Sequence, residues 1–198
     1  CLEAVRLAGA STVVLCDTNG AIMPDKVTEC VEDVVSKINC KIGIHCHNDS
    51  GLAVANSIAA VLAGASHVQG TFNGIGERCG NANLSTIIAN LQLKYKIECI
   101  PSENMEMLTH VARAMADISN ISLPGQEPYV GVSAFTHKAG MHVDGVKKNP
   151  STFEHISPEM VGNSRRFLMS EISGRSAVMD AIKKYKPDID KNAPEVSA

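Results

Sequence analysis

The sequence predicts an α/β protein built from parallel strands joined by crossover helices. Short apolar runs alternate with amphipathic helical segments in steps of roughly 30 residues, the length of a strand, a helix and their turns. Two joints are alike: Ala8-Gly9-Ala10-Ser11 precedes the first run and Ala63-Gly64-Ala65-Ser66 precedes the third. Residues that carry chemistry cluster just after the runs, where the C-terminal ends of parallel strands build active sites. A (β/α) barrel and a doubly wound sheet both fit. Three units complete neither, and Cys1–Gly9 reads as the end of a helix, so a piece of a longer polypeptide is expected.

Thr12–Asp17 (TVVLCD) is β-branched and short, a first strand, and Thr-Asn-Gly then turns the chain. Pro24 and Asp25 open a helix with Pro near its start and an acid in its first turn. Val27, Val31, Val34, Val35 and Ile38 give it one apolar stripe. Lys41–His47 is the second strand. Gly51–Ala63 is an Ala-rich helix stopped by Gly64. His67–Phe72 is the third strand, and Asn83–Leu93 the helix after it. Beyond Pro101, Leu108, Val111, Ala112, Met115 and Ile118 mark an amphipathic helix, with Ser102 as its cap and Glu103 nearby. Residues 123–146 show no long period, and 147–192 read as short helical pieces. The stretch from Pro187 is polar and expected to fray.

The 198 residues are 44% apolar and 20% charged, enough for a packed core. A net charge of -3 without a basic stripe argues against nucleic-acid binding. No apolar run approaches the ~20 residues of a membrane span. No signal peptide opens the sequence, and a cytoplasmic location is expected. Seven cysteines without a C-x-x-C pair exclude a disulfide framework and a zinc ribbon. Cys16, Cys30, Cys40 and Cys46 are expected as small buried hydrophobes.

Three constellations carry chemistry. In Gly43-Ile44-His45-Cys46-His47-Asn48-Asp49, strand alternation puts His45, His47 and Asp49 on one face and Ile42, Ile44 and Cys46 on the other. Two imidazoles about 7 Å apart along the backbone can grip one metal ion; structural histidines are the plainer alternative. In Asn73-Gly74-Ile75-Gly76-Glu77-Arg78-Cys79-Gly80-Asn81, three glycines let backbone approach a ligand. Asn81 is there either a helix N-cap or an oxygen ligand, and Glu77 and Arg78 either an ion pair or charges that orient substrate. Phe135–Gly145 holds His137, His142 and Asp144, read from composition as a solvated loop or as acid/base groups. Arg165, Arg166 and Arg175 read as surface cations.

Taken in order, GIHCHND, the AVANS helix and NGIGERCGNANL resemble the DRE-TIM metallolyase family, which includes 2-isopropylmalate, homocitrate and citramalate synthases. The run YVGVSAFTHKAGMHVDGV, with STFEHISPEMVGN and SEISGRSAV, is most similar to the citramalate branch. The resemblance covers nearly the whole sequence. It implies the C-terminal portion of a (β/α)8 TIM barrel, its last three strands, over residues 1–120. Residues 121–198 would be a small, mostly helical linker subdomain that completes a neighbour's site in a homodimer. It implies condensation of acetyl-coenzyme A with a 2-oxo acid, pyruvate first, in branched-chain amino-acid biosynthesis. It implies a divalent metal (Mn, Mg, Zn or Co) held by His45, His47 and Asn81. Thr18 would contact the keto acid, with Glu77 and Arg78 on the substrate side, and His142 would assist proton transfer with Asp144 beside it. The family's R-D-G motif, which would add an Asp ligand and an Arg, is absent from these residues, as is its barrel Glu. Alternatives are 2-isopropylmalate or homocitrate synthase, a 3-hydroxy-3-methylglutaryl-coenzyme A lyase, and an inactive fragment or metal-binding module.

Overall fold

The computed structural model describes residues 1–138 and 140–168, together with Ile182, Tyr185, Lys186 and Ile189. Arg175, the SEISGRSAV run and most of the polar end expected from Pro187 lie outside the described residues. The chain divides into two compact units, residues 1–102 with 111–122 and residues 103–110 with 123–198.

The first unit begins with helix α1 (Leu2–Leu7), followed by strand β1 (Thr12–Asp17) and helix α2 (Pro24–Lys37). Strand β2 (Lys41–Cys46), helix α3 (Ala53–Leu62), strand β3 (His67–Gln69) and helix α4 (Leu84–Lys94) complete the alternation. The three strands are parallel in the order β1-β2-β3, with Asp17 beside Cys46 and His45 beside Gln69. The central strand β2 buries Ile42, Ile44 and Cys46 on its helix-facing side. Against Ile44 and Cys46 pack Val27 and Val31 of α2 and Ala53 and Ala60 of α3. Each buried Val or Ile here contributes about 1.5–3 kcal/mol, and the small alanines let α3 lie close to the strand.

The boundaries differ from the sequence expectation where chemistry displaces regular structure. β2 ends at Cys46, because His47 leaves the ladder to bridge Asn81. β3 ends at Gln69 rather than Phe72, because the chain bends at Gly70 into a 3₁₀ turn, Phe72–Gly74, with Asn73 left-handed at φ 60°. α4 is capped by Asn83, whose Oδ1 accepts from Ser85 N at 3.0 Å, so Asn81 is not the cap. Ser102 opens a 3₁₀ segment, Ser102–Met107, and helix α5 (Leu108–Ser119) starts five residues later than a Ser102 cap would place it. Only Cys46 of the four core cysteines expected is buried; Cys16, on the sheet-edge strand, and Cys30 are exposed and Cys40 is half-buried.

In the second unit, strand β4 (Thr136–His137) pairs in parallel with strand β5 (Arg166–Phe167). Helix α6 (Gly140–Lys148) occupies residues in which the sequence showed no long period. Its two glycines and few apolar residues hide the pattern, yet Val143 and Val146 are buried. Thr109 Oγ1 donates to the Val161 carbonyl at 2.6 Å, and Asn163 Nδ2 donates to the carbonyls of Tyr129 and Gly131, both at 2.9 Å. Glu154 is buried and accepts from Arg165 Nε at 2.7 Å, Arg165 Nη2 at 2.5 Å and His137 Nε2 at 2.9 Å. Arg165 is thus a structural partner rather than the surface cation expected, because a buried carboxylate needs a paired charge.

Gly162 ends a 3₁₀ turn at φ +66°, and a Cβ there would collide with the Glu106 carbonyl. Gly162→Ala should lower the urea midpoint and cost more than about 1 kcal/mol of unfolding free energy; an unchanged midpoint would refute the contact. The Arg165 guanidinium holds the Glu154 carboxyl below its ordinary 4.5, burial opposes this, and His137 adds to the lowering. A carboxylate lowered in the folded state stabilises the fold above its unfolded value and loses that contribution as pH falls through its folded value. The unfolding free energy of the native protein should therefore fall on acidification below pH 4.5 more steeply than that of Glu154→Gln. Equal slopes would remove Glu154 from the acid response. Glu154→Ala, which strands Arg165, should cost about 3–5 kcal/mol.

Candidate active site

The pleat of β2 sets the first two side chains. His45 and His47 lie on the face opposite Ile44 and Cys46, with ring centroids 5.2 Å apart and the rings edge-on at 75°. The Nδ1 atoms of both are buried and have no hydrogen-bond partner. Burial, and then the neighbouring His47, hold the His45 imidazole below its ordinary 6.5. That favours the neutral ring, the form that ligates a metal. On the other face, burial pushes the Cys46 thiol up to about 11, which makes it an inert packing group.

The loop after β3 brings Asn81 to this pair. Asn48 N donates to the Gly80 carbonyl at 2.9 Å, and Ala82 N to the Cys46 carbonyl at 3.0 Å. Between these bonds, His47 and Asn81 form an antiparallel bridge. Gly80 holds φ +91°, and a Cβ on it would collide with the Gly74 carbonyl, which accepts from Asn81 N at 3.0 Å. Asn81 Nδ2 donates to the Ile75 carbonyl at 3.3 Å, which leaves Oδ1 buried with no partner. Two imidazole nitrogens and an amide oxygen are therefore buried with unused lone pairs. Left so, each costs about 1–3 kcal/mol, and a mixed N/O set of this kind suits Mn, Co or Zn, with Mg also possible. Among the described residues no group of three or more His, Cys, Asp and Glu converges to hold a metal.

Around them the loops after the three strands meet. Arg78 Nε and Nη2 donate to the two carboxylate oxygens of Asp49 at 2.7 and 2.9 Å, and Nη2 also donates to the Thr18 carbonyl at 2.8 Å. The Arg78 guanidinium holds the Asp49 carboxyl below its ordinary 3.8. Glu77 is not the main partner of Arg78: it lies 3.8 Å away with its side chain 86% exposed. The pairing of Asp49 with Arg78 escaped the sequence reading. Its signal was available, opposite charges in the loops that follow neighbouring parallel strands. Asp17 Oδ2 is also buried without a partner, at the end of β1.

His142 and Asp144 belong to the second unit, on α6 rather than in a solvated loop. The exposed His142 ring stacks on Phe153 at 4.3 Å, and Asp144 Oδ2 accepts from Lys148 Nζ at 2.8 Å. His137, in the same constellation, is taken up by Glu154.

The sequence and fold have known counterparts. A family model described as homocitrate synthase post-HMGL domain-like matches residues 129–196. The (R)-citramalate synthase of Aquifex aeolicus is 51% identical over 98% of this chain, and that of Sulfolobus acidocaldarius 47% identical over 98%. The chain spans 37% and 38% of the length of those two proteins. The HMG-CoA lyase of Bacillus subtilis superposes with a TM-score of 0.52 at 26% identity, over 62% of this chain and 42% of that one. The carboxyl transferase domain of Rhizobium etli pyruvate carboxylase gives 0.53 at 19% identity, over 60% of this chain and 20% of that one, a likeness of fold. These matches agree with the parallel strands and crossover helices of the first unit, a partial α/β fragment of TIM-barrel type. The HMGL-like family model matches residues 1–117, more than half of the sequence, and the chain belongs to that family.

Proposed function

We propose that this chain is the part of an acyltransferase that condenses acetyl-coenzyme A with a 2-oxo acid, pyruvate before others, to give citramalate. The observation that carries the reading is the buried, unpartnered set of His45 Nδ1, His47 Nδ1 and Asn81 Oδ1, in a chain 51% identical to an (R)-citramalate synthase. Residues 1–120 supply the last three strands of a (β/α)8 barrel. Residues 121–198 form the linker subdomain, which completes the site of a second copy in a homodimer.

In this reading His45, His47 and Asn81 hold a divalent metal ion, Mn, Mg, Zn or Co. Bound there, such an ion polarises the ketone of the 2-oxo acid and offsets the charge that develops on its oxygen. Thr18 contacts the keto acid, and Glu77 and Arg78 stand on the substrate side of the same loops. A base takes a proton from the methyl group of acetyl-coenzyme A. The resulting carbanion attacks the keto carbon, one C–C bond forms and the ketone oxygen takes up a proton. Water then splits the thioester, which gives a carboxylate and coenzyme A as its thiol. His142 moves a proton in this sequence, with Asp144 beside it on α6. In this reading the reaction belongs to branched-chain amino-acid biosynthesis, as the family resemblance implies.

Loss of a ligand should exceed the 10–100-fold affinity losses typical of outer-shell partners, so His45→Ala and His47→Ala should weaken Mn²⁺ binding by more than about 100-fold in calorimetric titration. Unchanged affinity would refute the ligand assignment. On the longest natural chain that carries these residues, coenzyme A release should require both pyruvate and a divalent metal. Turnover that survives exhaustive chelation would overturn the mechanism. His142→Ala should slow release by about 10²–10⁴-fold, the worth of a positioned acid/base group, and retain metal affinity. Loss of metal in that variant would place His142 among the ligands instead.

A further inference from the structure

The guanidinium of Arg78 joins three loops that follow three successive strands. Arg78 lies in the loop after β3, Asp49 in the loop after β2 and Thr18 in the loop after β1. One side chain reaches both others, through Nε and Nη2 to Asp49 and through Nη2 to the Thr18 carbonyl. The loops are also in direct contact. Ser50 N donates to the Gly20 carbonyl at 3.1 Å, and a Cβ on Gly20 would come within 2.5 Å of Asp49 Oδ2. Arg78 itself holds φ 54°, a left-handed backbone that only a well-anchored non-glycine residue keeps. A planar fork is needed to bind both carboxylate oxygens and still reach a carbonyl; a lysine ammonium has no such geometry.

The donor atoms of the candidate metal site are held differently. His47 N donates to the Asp17 carbonyl at 3.2 Å, and the bonds of Asn48 and Ala82 that seat Asn81 are main-chain to main-chain. None of these uses Arg78. We infer that Arg78 is a positioning residue: through Asp49 and the Thr18 carbonyl it fixes the loop that carries Thr18, and it acts on 2-oxo-acid binding through that loop rather than by touching substrate. The inference rests on the function proposed above and refines the place of Arg78 within it.

The test uses Arg78→Gln, Arg78→Lys, Asp49→Asn and the double variant Arg78→Gln/Asp49→Asn in the longest natural chain that carries these residues. Amide hydrogen exchange is read first. Exchange at Gly20 and Ser50 should quicken about tenfold in Arg78→Gln while Ala82 is unchanged; equal rates at Gly20 and Ser50 would overturn the clamp. Kinetics with pyruvate and Mn²⁺ are read second. KM for pyruvate should rise about tenfold in Arg78→Gln, with KM for acetyl-coenzyme A and the Mn²⁺ affinity within about twofold of the parent. Asp49→Asn should raise KM similarly, and the double variant no further than either single one, because both act through one node. A large effect of Arg78→Gln beside a small one of Asp49→Asn would mean that Arg78 touches substrate, and would overturn the inference. Should Arg78→Gln fail to fold, Arg78→Lys, which keeps the charge and loses the fork, carries the same readings. If the parent protein condenses no 2-oxo acid, the functional proposal fails, and the exchange arm still decides the clamp.

Discussion

Main-chain hydrogen bonding between the end of β2 and residues 80–82 is the constraint on which the candidate site depends. The Cys46 carbonyl accepts from Ala82 N, and the Gly80 carbonyl accepts from Asn48 N. The same segment closes on its own start, with Thr71 N bonded to the Ala82 carbonyl and Leu84 N to the Thr71 carbonyl. The loop after β3 is thereby a closed ring that leaves the third strand, touches the second and returns to begin α4. Asn81 has one place to go, beside His47. The ring closes because Gly80 accepts φ +91° with the Gly74 carbonyl against it, so the backbone that seats an oxygen donor is possible only without a side chain at that position.

The alternation of strands and helices was legible because it rests on local signals. Pro24 and Asp25 start α2 where expected, β1 has the expected bounds, and the period-2 pattern of residues 42–47 sorts the buried Ile42, Ile44 and Cys46 from the two histidines. What was not legible depends on partners distant in sequence. Gly70, the left-handed Asn73 and the return to Cys46 shorten β3 by three residues, and no window of sequence contains that return. The helix cap went to Asn83 rather than Asn81 for the same reason, since the bridge to His47 already uses the backbone at Asn81. Cys16 and Cys30 have apolar neighbours in sequence but remain exposed. Among the described residues β1 borders the sheet, and periodicity does not report which strand is central.

The second unit adds buried polar contacts to its apolar Val130, Phe135 and Val161, with Glu154 between Arg165 and His137, and Asn163 across the carbonyls of Tyr129 and Gly131. A buried carboxylate with three charge-assisted bonds specifies one arrangement of β4 and β5, and it is costly to leave half-made. The two glycines and few apolar residues of α6 hide its period in the sequence, although Val143 and Val146 are buried. The side chain that precedes Glu154 is Phe153, on which His142 stacks. The network that holds the unit together thus also sets the ring against which the expected acid/base histidine rests.

The two kinds of restraint divide the work within the first unit. The donor atoms of the candidate site are placed by backbone bonds and by the strand pleat. The rim that carries Thr18 is placed by one guanidinium and one carboxylate, both partly open to solvent. The centre thus rests on main-chain bonds, and the rim adds the pairing of Arg78 with Asp49 to the bond from Ser50 N to the Gly20 carbonyl. The main-chain bonds that seat His47 and Asn81 do not involve Arg78, so a change in its pairing leaves them in place. Variation among related chains is therefore expected to concentrate in the rim loops, where a changed partner for Arg78 alters the loop that carries Thr18 without disturbing His45, His47 and Asn81.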